Sequence, residues 1–209
     1  VTMAKILASR DVAFDMPAGP SEILILADET ADPGLVALDM ISQAEHGADS
    51  IAGLITTSGE LAEKIQSRLE RIASSARRGD VIKKALSEFG FIIISKTVDG
   101  MVELANEFAP EHLQIVARGA SNIADRIMTS GLILIGPYSP VAASDYCYGT
   151  NHVLPTGGYG RTYSGLSVLD FIRRVEVVEC SRDGLHGVRD VAKTLAEAEG
   201  LPNHYAAIE

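Results

Sequence analysis

Tryptophan is missing from this chain, cysteine occurs twice, and aromatic residues make up only 5% of it. The two cysteines, Cys147 and Cys180, are too few for a disulfide framework, which points to a reducing cytoplasm. No apolar run approaches the roughly 20 residues needed to cross a bilayer. No signal-peptide pattern opens the chain, and there is no internal repeat or low-complexity tract. Basic residues are the minority sign: 18 Lys and Arg stand against 28 Asp and Glu, a formal charge of -10. Such a surface disfavours nonspecific nucleic-acid binding and attraction to anionic membranes. Several motifs are absent as well: no G-x-G-x-x-G after a strand, no Walker loop and no H-E-x-x-H helix. Gly157-Gly158-Tyr159-Gly160 is glycine-rich, but no buried strand leads into it. The first residue is Val1 rather than Met, so the sequence reads as a piece of something longer.

What is present is the ordinary material of a globular domain. The 209 residues are 46% hydrophobic and 22% charged, enough to bury a core in one domain with an appendage. Short apolar runs at 23–27, 51–57, 91–95, 112–117 and 132–135 read as strands, the first of them buried on both faces. Between them lie helical patterns at 33–46, 59–77, 80–89, 98–108 and 121–129, and a short helical piece at 1–10 precedes them. This alternation predicts an α/β fold, a parallel-rich sheet with helices on both faces. A long irregular segment rich in Gly, Pro, Ser and Tyr follows at 136–166, and such segments usually have a functional reason. Beyond it, 166–174 reads as helical, 175–180 as extended and 187–198 as helical, with a tail that has no core signal. The expected division is an α/β domain at 1–165 and a small helical C-terminal extension at 166–209.

The chemistry-bearing candidates are scattered. Gln43 and His46 stand three apart at the end of a predicted helix and so share a face; a capping histidine and a ligand pair are both open readings. Glu111 and His112 adjoin at a helix–strand junction, where a carboxylate beside an imidazole suits proton transfer. Asp145 and His152 bracket a run of small and polar residues in the long segment; a metal-ligand pair and a turn aspartate with a loop histidine are both open readings. Glu199 and His204 lie near the C-terminus, where a solvated tail is the plainer reading. His186, in a predicted turn, has no assigned role.

Taken together, the motifs are more specific than their parts. Phe14-Asp15-Met16-Pro17-Ala18-Gly19-Pro20-Ser21-Glu22, Ser42-Gln43-Ala44-Glu45-His46 and Ala109-Pro110-Glu111-His112-Leu113 resemble histidinol dehydrogenase. So do Asp145-Tyr146, Gly149-Thr150-Asn151-His152-Val153-Leu154-Pro155 and Ser164-Gly165-Leu166-Ser167-Val168. The resemblance runs from Val1 to about His204 and covers the C-terminal half of the family's usual length. It implies an incomplete Rossmann-like domain in a zinc-dependent enzyme of histidine biosynthesis. That enzyme oxidises L-histidinol to L-histidine through the aldehyde with two NAD. By motif position Gln43, His46 and Asp145 are implied zinc ligands, one ion per subunit. His204 is the implied fourth, supplied by the other subunit of a homodimer that exchanges its tail. Ser21, Gln43, His46, His112, Asp145, His152, Glu199 and His204 are implied substrate contacts, and Glu111 with His112 the implied proton-transfer pair. The NAD-contacting half is implied to lie mostly upstream of Val1, leaving this chain inactive alone. Two other readings stand beside this one: a catalytically silent metal-binding or dimerisation module, and a zinc hydrolase with Glu111 as base.

Overall fold

The computed structural model describes residues 1–208. After a short helix α1 (Thr2–Ala8), the apolar runs become five strands: β1 (Glu22–Ala27), β2 (Ile51–Thr56), β3 (Gly90–Ile94), β4 (His112–Val116) and β5 (Leu132–Ile135). All neighbours pair in parallel, in the order β3-β2-β1-β4-β5. Parallel pairing requires long crossovers. These are made by α2 (Pro33–Ala44), α3 (Gly59–Ser75), α4 (Gly79–Phe89), α5 (Val98–Phe108) and α6 (Ala120–Ala124).

Strand periodicity divides the apolar side chains between two layers. Ile23, Ile25 and Ala27 pack with residues of α2, α3 and α4 on one face, and Leu24 and Leu26 pack with α5 and α6 on the other. β1 is buried along its whole length, which explains why its sequence shows no polar alternation. The expected α/β class, with a parallel sheet and helices on both faces, is what the chain adopts.

Along β4 the same alternation separates Leu113 and Ile115, which pack with α5, from His112, Gln114 and Val116. Val116 packs with the α2 layer, so His112 and Gln114 point to that side too. The strand order reverses between β1 and β4, and open α/β sheets usually bind ligands beyond the carboxyl ends at such a point. Here Asp28 fills that place, its carboxylate accepting the backbone N–H groups of Thr30 at 2.9 Å and Arg118 at 2.8 Å. The candidate site lies at the opposite, amino ends of β1 and β4.

Several expectations are corrected. Residues 141–146 of the long irregular segment form a helix, α7 (Val141–Tyr146), so Asp145 stands on a helix. The pattern at 121–129 yields only the short α6, because its hydrogen bonding breaks after Ala124 and the chain turns through Asp125–Ile127. At 166–174 only a 3-10 turn, Val168–Phe171, forms, and 175–180 pairs with no strand. Their apolar side chains find no layer to pack on: Val177 and Val178 are 87% and 88% exposed.

The chain divides into two compact units, Val1–Phe171 and Ile172 onward. In the second, Ser181 caps α8 (Arg182–Glu199) by accepting the Gly184 N–H, and Gly200 ends it in the left-handed region at φ 70°, where glycine carries no Cβ penalty. His186 therefore lies inside a helix rather than in a turn. Pro202 then starts α9 (Pro202–Ala206), and Lys193 of α8 lies 5.2 Å from the Tyr205 ring centroid, a cation–π contact that ties the two helices. No helix among the described residues is long and apolar enough to cross a membrane.

Candidate active site

Four segments of the first unit converge on one cavity of about 430 Å³. Its lining residues are Ser21, Gln43, His46, Glu111, His112, Asp145, Tyr146 and His152. The sequence separates these residues by up to 131 positions, and the parallel sheet brings them together by setting β1 beside β4. Glu199 and His204 belong to the second unit, at the end of α8 and in α9, and do not line the cavity.

Ser21 immediately precedes β1. Its carbonyl accepts the Ile51 N–H at 3.0 Å, which extends the ladder by one residue and fixes the serine at the cavity edge. Gln43 and His46 come from the end of α2, where the helical i, i+3 spacing sets them one above the other. Gln43 is only 1% exposed, and its Nε2 is buried without a hydrogen-bond partner. A buried amide N–H left unpaired costs about 1–3 kcal/mol, and an acceptor in the cavity would relieve it.

Asp145 is delivered by α7, and α7 is registered by Asp39, one turn before Gln43 on α2. The Asp39 carboxylate accepts Gln114 Nε2 at 2.7 Å and the backbone N–H of Val141, the first residue of α7. Burial raises the Asp39 pKa above 3.8, against the lowering effect of these two hydrogen bonds. A carboxyl whose folded pKa is raised stabilises the fold fully below its unfolded pKa, and that contribution is lost as pH rises through the folded value. The variant Asp39→Asn has no such titration. Its unfolding free energy, measured in urea from pH ~4 to ~7, should therefore gain on the wild type as pH rises. Parallel curves for the two proteins would show that burial does not hold this carboxyl up.

Glu111 and His112 begin β4. Pro110 bars the right-handed helical conformation at the preceding residue, so Ala109 leaves α5 in the left-handed region at φ 54°. This tight exit sends Glu111 and His112 directly into the sheet, 6% and 4% exposed. His112 Nδ1 lies 3.0 Å from the Glu22 carbonyl. A carbonyl only accepts, so Nδ1 carries hydrogen, and in the neutral ring Nε2 keeps its lone pair. That Nε2 is buried without a partner, 3.8 Å from Asp145 Oδ1. Burial works against protonating His112, but Glu111 at 3.5 Å, the Glu22 carbonyl and Asp145 outweigh it and raise the pKa above 6.5. Glu111 Oε2 accepts the Glu22 N–H at 2.8 Å, which leaves Oε1 for the cavity.

His152 stands on the exposed stretch after α7. Its loop is shaped by the Val153 N–H donating to Asn151 Oδ1 at 2.8 Å and the Leu166 N–H donating to the Val153 carbonyl at 2.9 Å.

Two residues that sequence reasoning passed over shape the site, and one more lines it. Tyr146 lines the cavity beside Asp145. Glu22 and Asp39 are buried carboxylates holding its parts together. A signal existed for Asp39, an acid inside the helical pattern at 33–46; Glu22 precedes the expected strand at 23–27, and its burial follows only from the observed β1.

The donor set from this unit is one imidazole, one carboxylate and one amide. Among the described residues no group of three or more His, Cys, Asp and Glu side chains that could hold a metal is assembled. A zinc ion accepts imidazole and carboxylate donors, and from Gln43 the amide oxygen is the atom that could join them, since the unpaired Nε2 is a hydrogen-bond donor. By donor chemistry, Gln43, His46 and Asp145 would suit such an ion.

Comparison with known proteins identifies the relatives of this chain. The histidinol dehydrogenase of Vibrio parahaemolyticus is 44% identical over 211 residues, covering 100% of this chain and 49% of its own length. That of Methanosarcina barkeri is 45% identical over 209 residues, covering 100% and 48%. The crystal structure of histidinol dehydrogenase from Elizabethkingia anophelis superposes with a TM-score of 0.94 at 38% identity, over 100% of this chain and 48% of that one. An acetylating aldehyde dehydrogenase from Geobacillus thermoglucosidasius shares the fold alone, with a TM-score of 0.51 at 13% identity over 86% and 55% of the two chains. The chain spans about half the length of the curated relatives it matches. The family pattern for histidinol dehydrogenase extends over residues 1–209, and with the same motif residues gathered around one cavity, the chain belongs to the histidinol dehydrogenase family.

Proposed function

We propose that this chain is the zinc- and substrate-holding half of an enzyme that oxidises L-histidinol to L-histidine through the aldehyde, with two NAD as hydride acceptors. The observation that carries the proposal is the cavity itself. Seven residues matched to the family by motif, Ser21, Gln43, His46, Glu111, His112, Asp145 and His152, come from distant parts of the chain and line one space.

Gln43, His46 and Asp145 would hold zinc, with His204 of a second copy completing the set. A zinc ion held by these residues would supply a Lewis acid, while the residues themselves would orient the carbinol carbon. Ser21 and His152 contribute polar contacts to the same small substrate, and Glu199, like His204, would come from a second copy. His112 Nε2, with its lone pair turned into the cavity, takes the hydroxyl proton as the first hydride leaves carbon. Glu111 Oε1 then takes a proton from the water that adds to the aldehyde, and the resulting hydrate gives up the second hydride. Gln43, Glu111 and His112 form the buried floor of the cavity, and holding the aldehyde there between the two steps would limit its loss to solvent.

The second unit supports the proposed homodimer. Leu185, Val188, Val191 and Leu195 form one exposed apolar side of α8, at spacings that fit burial against a partner helix surface. A cytoplasmic biosynthetic enzyme is the setting that suits this chemistry. The test is NADH formation from histidinol, followed for this chain and for a full-length protein that includes it. The full-length protein is expected to produce two NADH per histidinol and the chain alone none. Absence of NADH from the full-length protein would overturn the assignment.

A further inference from the structure

We propose that Glu22 is a positioning residue, whose carboxylate holds the Glu111 backbone and the loop bearing His152 in one register. The inference rests on the proposed roles of Glu111, His112 and His152.

Glu22 is the first residue of β1 and is 4% exposed. A carboxylate in such a place is costly unless its oxygens are hydrogen-bonded. Both are. Oε1 accepts the Gly157 N–H at 2.9 Å, and Oε2 accepts the Glu111 N–H at 3.3 Å. The backbone of the same residue makes two more bonds: its N–H donates to Glu111 Oε2 at 2.8 Å, and its carbonyl accepts from His112 Nδ1 at 3.0 Å. Glu22 and Glu111 thus exchange backbone N–H groups reciprocally, each carboxylate holding the other's main chain.

Gly157 closes the stretch that begins at His152. It has φ +62°, so its N–H is presented by a left-handed turn, and the neighbouring Thr156 Oγ1 accepts the Gly19 N–H. The turn is therefore pinned at two adjacent points, to the strand by Glu22 and to the segment before Ser21 by Thr156. One side chain links the carboxylate assigned to water activation with the loop assigned to substrate contact. Two backbone donors converge on two carboxylate oxygens, an arrangement that glutamine cannot reproduce. Its amide has one acceptor oxygen, and its NH₂ would face the second N–H.

The experiment uses the full-length protein carrying Glu22→Gln, with the alcohol and aldehyde half-reactions followed separately by NADH formation. A misplacement of about 1 Å costs on the order of 10²-fold in rate, and that loss is expected in kcat of the aldehyde step, with a smaller loss in the alcohol step. Zinc content should be unchanged, since Glu22 bonds to none of Gln43, His46 and Asp145. Ile65→Val, in the α3 layer of the core, serves as the control for general destabilisation and should lower neither step selectively. Should Glu22→Gln fold poorly, Glu22→Asp keeps the charge while drawing it back by one methylene, and should show the same selectivity to a smaller degree. Equal losses in the two steps, or unchanged rates in both, would overturn the role of Glu22 while leaving the overall assignment intact. A wild-type protein that oxidises neither histidinol nor its aldehyde would instead overturn the assignment, and the inference with it.

Discussion

His46→Ala and Asp145→Ala, each made in the full-length protein, are expected to remove stoichiometric zinc and to lower histidinol oxidation by about 10³-fold or more. The magnitude follows from the several kcal/mol that a bound cation contributes to charge stabilisation, at 1.36 kcal/mol per tenfold in rate. The two residues reach the cavity from different elements, His46 from the end of α2 and Asp145 from α7. No local rearrangement of one element can therefore replace a ligand lost from the other. Neither substitution disturbs the core. The His46 side chain is exposed and Asp145 half-buried, so both variants should keep the wild-type circular dichroism spectrum. The check is metal analysis after dialysis, alongside NADH formation. Unchanged zinc in both variants would sink the ligand assignment, whatever the activity.

The second large effect is a split between half-reactions. Glu111→Gln should lower aldehyde oxidation by about 10²–10⁴-fold, the range typical of a lost general base, while alcohol oxidation falls much less. The structure makes this a clean substitution. Glu111 Oε2 accepts the Glu22 N–H at 2.8 Å, and glutamine can keep its one carbonyl oxygen on that donor. Its NH₂ then replaces Oε1 at the cavity, where it cannot take a proton from water. His112 retains its Glu22 carbonyl partner and its lone pair on Nε2, so proton removal from the alcohol remains possible. Loss of Glu111 as the nearest negative neighbour of Nδ1 accounts for the modest effect on the first step. Each step is measured by NADH formation from its own substrate. Equal losses in both would remove Glu111 as the water activator and favour a shared role in holding His112.

Much of the fold was legible in the residues. Continuous Ile and Leu runs such as 23–26, bounded by Pro20 and Asp28, name a strand buried on two faces, because only a covered parallel sheet tolerates such a run. The helices α3 and α5 declare themselves by apolar spacing and by caps, Ser58 and Thr97 each accepting an N–H from the first turn. These are local matters of periodicity and capping. Where local pattern misled, the reason was a missing neighbour. Residues 175–180 have strand composition but no adjacent strand, and a β-branched segment without a ladder stays irregular. Gly and Tyr crowd the surroundings of Asp145 and suggest a loop, yet Val141 to Tyr146 helicises, with Val141 buried against the α2 layer.

The site divides along the same line. Motif content named Ser21, Gln43, His46, Glu111, His112, Asp145 and His152, and helical spacing placed Gln43 and His46 on one face. Nothing local tells that Glu22 and Glu111, 89 residues apart, exchange backbone hydrogen bonds, or which nitrogen of His112 keeps its lone pair. Those facts depend on β1 lying beside β4, an adjacency set by the packing of whole layers. A run of side chains can state its own periodicity, but a hydrogen bond between distant strands exists only once the sheet order has brought them within 3 Å or so of each other.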